Sequence, residues 1–190
     1  MSRNFNVAVL VGSLRKGSFN RKLAHAIAAE APENLSFKFV EIGDLPLYNE
    51  DIETDTPPAA WTRYREEMNH ADAVLFVTPE YNRSVPGPLK NAIDVGSRPY
   101  GKAVFTGKPA AVVTGSPGRT GGFGSNHHLR QSLVFFNMPV MAQPEAYIGG
   151  MWDLFDDAGQ LKSEDTLKFL RTIAQSFAAW VERTAVGEKG

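Results

Sequence analysis

The chain contains no cysteine. That excludes disulfides, thiolate nucleophiles and cysteine-ligated metal clusters together, so any redox chemistry needs a borrowed cofactor. It also lacks a charge imbalance: 20 Lys and Arg stand against 21 Asp and Glu, for a formal net charge of -1. Without a basic surplus, capture of nucleic acid is not expected as the main activity. No stretch approaches the roughly 20 apolar residues that a membrane span needs. The apolar run from Val7 to Val11 is too short for a signal-peptide core and reads as a buried strand. A cytoplasmic protein is expected. Internal repeats and low-complexity tracts are missing. His25, His70, His127 and His128 show no His-x-x-x-His spacing, and adjacent His127 and His128 would point in different directions on a helix. No metal site is expected.

What is present is an ordinary globular composition, 43% hydrophobic in 190 residues. That length suits one well-packed domain, so residues 1–190 are expected to form a single unit. Strand and helix patterns alternate along it. Phe5 to Val11 is an apolar, β-branched run, as expected for a strand buried on both faces, and Ala73 to Val77 and Pro109 to Thr114 read as further strands. Leu35 to Ile42 alternates and reads as a further strand, and Pro139 to Met141 as a short fifth one. Helices are expected over Phe19–Ala31, Ala59–His70, Pro88–Val95, part of Gly121–Phe136, and Leu161–Arg183. In the last, Leu167, Leu170, Ile173, Phe177 and Trp180 fall at helical spacing. Gly43 to Pro58, rich in Asp, Glu and Pro, reads as a loop. Such alternation implies an α/β fold with a parallel sheet covered by helices on both faces. Ligands of such sheets lie beyond the carboxyl ends of the strands. The segments to read for chemistry are therefore Gly12–Asn20, Thr78–Gly87 and Gly115–Gly122.

Gly12 to Asn20 reads GSLRKGSFN and leads into a helix. A helix N-terminus offers unpaired N–H groups and a partial positive charge, which suit phosphate. Ser13 and Ser18 add hydroxyls, Asn20 an amide and Arg15 a charged fork. The loop fails two phosphate signatures. Gly12 and Gly17 have P-loop spacing, but Ser18-Phe19 follows where Lys is needed, and Gly12 to Gly17 lacks the middle glycine of Gly-x-Gly-x-x-Gly. A hydroxyl-rich loop of this kind suits a monophosphate such as FMN. A plain strand-to-helix turn capped by Ser18 is the competing reading.

Thr78 to Asp94 reads TPEYNRSVPGPLKNAID. Pro79 and Pro86 stiffen it, so it can hold backbone groups edge-on to a planar ring. Asn82 offers both an acceptor and donors, and Tyr81 a ring to pack against a ligand. Glu80 has three possible roles: facing solvent, binding a helix N-terminus, or accepting a proton. Gly115 to Gly122 reads GSPGRTGG. Its glycines let the backbone approach a flat ligand, and Arg119 is its only charge.

These three segments, with DLPLYNED at Asp44 to Asp51, resemble the NAD(P)H-dependent FMN reductase family, and within it the bacterial quinone and chromate reductases. The likeness runs from about Val7 to Pro144. It implies a flavodoxin-like fold, a five-stranded parallel sheet in the order 2-1-3-4-5, with non-covalent FMN and NADPH or NADH as co-substrate. It assigns Ser13, Arg15, Ser18, Phe19 and Asn20 to the FMN phosphate. Pro79, Glu80, Tyr81 and Asn82 fall beside the isoalloxazine, and Ser116, Gly118 and Arg119 form the far wall. It implies a homodimer or homotetramer acting on small-molecule acceptors: quinones, chromate, azo dyes or free flavin. No catalytic side chain is expected, because the flavin carries the chemistry. Two other readings compete: an electron carrier of the flavodoxin type that docks on protein partners, and a nucleotide-binding regulator without turnover. NAD(P)H consumption with free quinone separates the first reading from both.

Overall fold

The predominantly apolar runs become the inner strands of one sheet. In the computed structural model, which describes residues 3–156 and 158–185, β1 (Phe5–Val11), β3 (Ala73–Thr78) and β4 (Ala110–Gly115) lie side by side. They are flanked by β2 (Leu35–Phe39) and β5 (Ala146–Ile148). The order is β2-β1-β3-β4-β5 and every pairing is parallel. This is the flavodoxin-like order expected from the sequence.

The helices are α1 (Phe19–Ala29), α2 (Ala59–Asn69), α3 (Gly87–Gly96), α4 (Phe123–Val134) and α5 (Glu164–Thr184). They divide the core into two clusters. Val7, Val9 and Val11 pack with Leu23 and Ile27 of α1 and with Leu170, Ile173 and Phe177 of α5. Ala8 and Leu10 point the other way, towards Trp61 and Tyr64 of α2, Leu89 of α3 and Leu129 of α4. The period-two alternation of β1 thus serves both layers. Each fully buried large side chain contributes about 1.5–3 kcal/mol relative to exposure.

Several boundaries differ from expectation. α1 stops at Ala29, with Glu30 as its C-cap, before Pro32. α5 starts at Glu164 rather than Leu161, because Ser163 Oγ accepts from Thr166 N at 3.3 Å and caps it. A single turn of 3-10 helix, Glu50–Ile52, interrupts the acidic loop. The main correction concerns the fifth strand. Pro139–Met141 runs beside the start of β4 and makes one bridge, Val140 to Ala110. Pro139 has no N–H to donate, and Pro144 interrupts the path before a ladder can form. Pairing resumes beyond it, where Ala146, Tyr147 and Ile148 meet Val113, Thr114 and Gly115.

Candidate flavin site at the strand ends

The carboxyl ends of β1, β3 and β4 open into a cleft of about 160 Å³. Its lining is Ser13, Arg15, Ser18, Phe19 and Asn20 from the first loop, Pro79, Glu80 and Tyr81 from the second, Gly115, Ser116 and Pro117 from the third, and Met151. Close approach of these walls depends on glycine. A Cβ on Gly12 would lie 2.1 Å from Thr78 Oγ1, and one on Gly115 would lie 2.3 Å from Met151 Sδ and 2.9 Å from Asn20 Oδ1.

The first wall is an anion site in chemical character. Ser18 is the N-cap of α1, and its Oγ accepts from Arg21 N at 3.2 Å. The capping reading of Ser18 therefore holds, and its hydroxyl hydrogen remains available to a ligand. The helix start leaves the amides of Phe19 and Asn20 without intrahelical acceptors. Ser13, Ser18 and Asn20 are buried, while the Arg15 guanidinium is exposed and makes no ion pair among the described residues. Asn20 Nδ2 donates to Gly115 O at 3.0 Å and ties the first wall to the third. Its Oδ1 is buried and has no partner among the described residues. A buried acceptor without a donor costs about 1–3 kcal/mol, and a hydroxyl-bearing ligand would satisfy it.

The second wall is a strained turn. Asn82 and Arg83 have φ of 50° and 64°. Tyr81 N donates to Ser84 O at 3.0 Å, and Ser84 N to Tyr81 O at 2.9 Å. Two left-handed central residues and this reciprocal pair make a type I′ turn. A non-glycine residue in that region costs on the order of 1–3 kcal/mol and persists only when its surroundings hold it. Glu80 takes the second of the roles considered for it: its Oε2 accepts from Ser125 N, in the first turn of α4, at 3.1 Å.

The third wall turns on Gly121 and Gly122, with φ of 59° and 82°. A Cβ on Gly121 would lie 2.4 Å from the Tyr147 carbonyl carbon, so no other residue fits there. Beyond it, the exposed Phe123 and His127 cluster with the half-buried Tyr147, whose Oη is 3.1 Å from His127 Nε2. Burial and a hydrogen bond with Glu145 raise the Tyr147 hydroxyl above its ordinary pKa, so it remains protonated.

Nine of the residues singled out from sequence meet in this cleft. Asn82, Gly118 and Arg119 do not line it. Asn82 is at the exposed tip of its turn, Gly118 N donates to Ser116 Oγ at 3.1 Å, and Arg119 is exposed with no ion pair among the described residues. Gly115, Pro117 and Met151 were not singled out. The first two lie inside a loop already marked for chemistry. Met151 follows β5, and locating that strand at Pro139–Met141 hid it.

Fold and site together define a flavodoxin-like protein with a serine- and arginine-bearing loop after its first strand and stiff or glycine-rich loops after the next two central ones. The chain matches the family NADPH-dependent FMN reductase over residues 5–153 and belongs to it. It is accordingly an NAD(P)H-dependent FMN oxidoreductase. It is 63% identical over 182 residues to a quinone reductase of Pseudomonas putida, covering 96% of this chain and 97% of that one. It is 47% identical over 175 residues to a 2-hydroxy-1,4-benzoquinone reductase of a Burkholderia species, covering 92% and 95%. Among solved structures it resembles FerB, a flavoenzyme NAD(P)H:(acceptor) oxidoreductase of Paracoccus denitrificans. There the TM-score is 0.88 and the identity 42%, covering 96% of this chain and all of that one. The donor set fits the group this family implies: free helix-start amides, serine hydroxyls and an arginine for a phosphate monoester, and an unpaired Asn20 Oδ1 for a hydroxyl.

Proposed function

We propose that the chain is a quinone reductase that takes its electrons from NADPH or NADH, with an acceptor range extending to chromate, azo dyes and free flavin. The observation that carries this reading is the cleft at the strand ends, whose anion-binding loop faces a stiff turn and a glycine-rich loop. The relatives named for quinone reduction support the choice of acceptor. NAD(P)H consumption by the purified protein with benzoquinone, against none without an acceptor, is the direct test. Absence of turnover would favour the electron carrier or the regulator.

Ser13, Arg15, Ser18, Phe19 and Asn20 hold the phosphate in this reading. Pro79, Glu80 and Tyr81 border the ring and Ser116 the outer wall, while Asn82, Gly118 and Arg119, on the same loops but outside the cleft lining, meet the cofactor or its co-substrate from the solvent side. Bound FMN supplies hydride acceptance from the reduced nicotinamide and electron delivery to the acceptor. The side chains bind and orient; none is assigned a proton-transfer role. Arg15→Ala is expected to weaken FMN binding by roughly 1.5–3 kcal/mol, as loss of a charged hydrogen bond should. Ser18→Ala is expected to weaken binding as well, and to cost about 1 kcal/mol of stability through the lost cap. Flavin titration with parallel urea melts reads both effects. Unchanged affinity in both variants would move the phosphate elsewhere.

The loops that grip the cofactor leave the nicotinamide and the quinone a single shared approach. Both need close contact with the same ring, so the two substrates bind in turn. Parallel lines in double-reciprocal plots are expected. Arg119→Ala should raise KM for the nicotinamide more than for a neutral quinone, through loss of a phosphate contact. Intersecting lines would require both substrates to be bound at once and would refute the shared approach.

A further inference from the structure

His127 and His128 are neighbours on α4 with separate partners. His127 is bound to Tyr147 of β5, whereas His128 Nδ1 lies 2.6 Å from Ser84 Oγ. Ser84 closes the type I′ turn that carries Tyr81 and Asn82. The other end of that turn is held by the same helix, since Glu80 accepts from Ser125 N. Between these two bonds the turn lies tight against α4: a Cβ on Gly124 would be 3.0 Å from both Arg83 O and Glu80 Oε2. The left-handed pair Asn82-Arg83 therefore sits in a cradle gripped at both ends. A strained turn persists where its surroundings over-determine it, and these two bonds do that here.

We infer that His128 is a positioning residue: through Ser84 Oγ it holds the Tyr81–Ser84 turn in its left-handed form and so presents Tyr81 and Asn82 to the flavin ring. Glu80 is the other half of the same brace. The inference rests on the site assignment proposed above for Tyr81 and Asn82. His128 itself is exposed and lies outside the cleft lining, so its effect passes through the turn. Either tautomer of the imidazole serves, because Nδ1 can accept from the serine hydroxyl or donate to it.

The test compares His128→Ala, Ser84→Ala, the double variant and His128→Asn by two measurements: amide hydrogen exchange of the apoprotein and FMN titration. Exchange at Tyr81 to Ser84 should quicken in both single alanine variants. FMN affinity should fall about threefold to tenfold, the scale of one neutral hydrogen bond. The double variant should be no worse than either single one. His128→Asn, whose amide places a polar atom near the Nδ1 position, should restore both readouts. Unchanged exchange would overturn the inference. So would faster exchange with unaltered affinity, additive losses in the double variant, or failure of asparagine to rescue. Asn82→Ala and Arg15→Ala in the native background test the underlying site assignment. If neither weakens FMN binding, that assignment fails, while the exchange data still decide whether His128 holds the turn.

Discussion

Gly12 and Gly17 belong to the same loop, but only Gly12 is hemmed in. Its missing Cβ makes room for Thr78 Oγ1, whereas a Cβ on Gly17 would meet nothing within 4 Å and the backbone there is not left-handed. Gly12→Ala should destabilise the apoprotein by about 1–3 kcal/mol through overpacking, with partial relief from Thr78→Ala. Gly17→Ala should be neutral, or stabilising by up to about 1 kcal/mol, because it reduces the freedom of the unfolded chain. Urea melts decide between them, and equal effects would refute the steric account. Lys108 yields a prediction of another kind. Burial pushes its ammonium down to about 8, with Asp72 pulling the other way, and it donates to Met68 O near the end of α2. From about 8 to 10.5 the unfolded chain therefore binds more protons than the folded one at this site. Its contribution to the unfolding free energy rises with pH across that window. Lys108→Met should remove that rise relative to the native chain in urea melts spanning the window. An unchanged slope would show that Lys108 does not cause it.

Among the elements, legibility followed burial and length. Apart from the exposed Asn6, β1, β3 and β4 are buried along their whole length, so each is written as a predominantly apolar run. α5 was legible because Leu170, Ile173 and Phe177 recur on one face over several turns. β5 has three residues, too few for any period to register, and the more apolar Pro139–Met141 drew the assignment instead. The site followed the same logic. The rule that ligands gather at strand ends found the three loops, because it needs only the strands that were legible. It lost Met151 with the strand that was not. Long-range ties left no local signal. Asn91 of α3 is buried; its Oδ1 accepts from Tyr48 N at 2.8 Å and its Nδ2 donates to Leu45 O and Pro46 O. Nothing around Asn91 in the sequence announces that it pins DLPLYNED. Glu80 on Ser125 N and His128 on Ser84 are equally silent in the sequence.

At the scale of the whole molecule, we propose a homodimer or homotetramer. Trp152 is 62% exposed, as an interface aromatic would be in a lone protomer. Tyr48 is half-buried and stacks on Trp61 of its own protomer, with ring centroids 5.3 Å apart. Light scattering should give two or four times 20.8 kDa at micromolar concentration, and a monomer there would refute the proposal. The bond from Asn20 to Gly115 spans 95 residues, and its length along the chain bears on biosynthesis. Translation delivers the amino-terminal part first. The first wall of the cleft therefore leaves the ribosome long before the third wall and Met151 exist to close it. If the cleft is the flavin site proposed above, loading follows synthesis at least as far as Met151. The cellular supply of flavin would then set how much of the protein is charged, not whether its early segments find their fold.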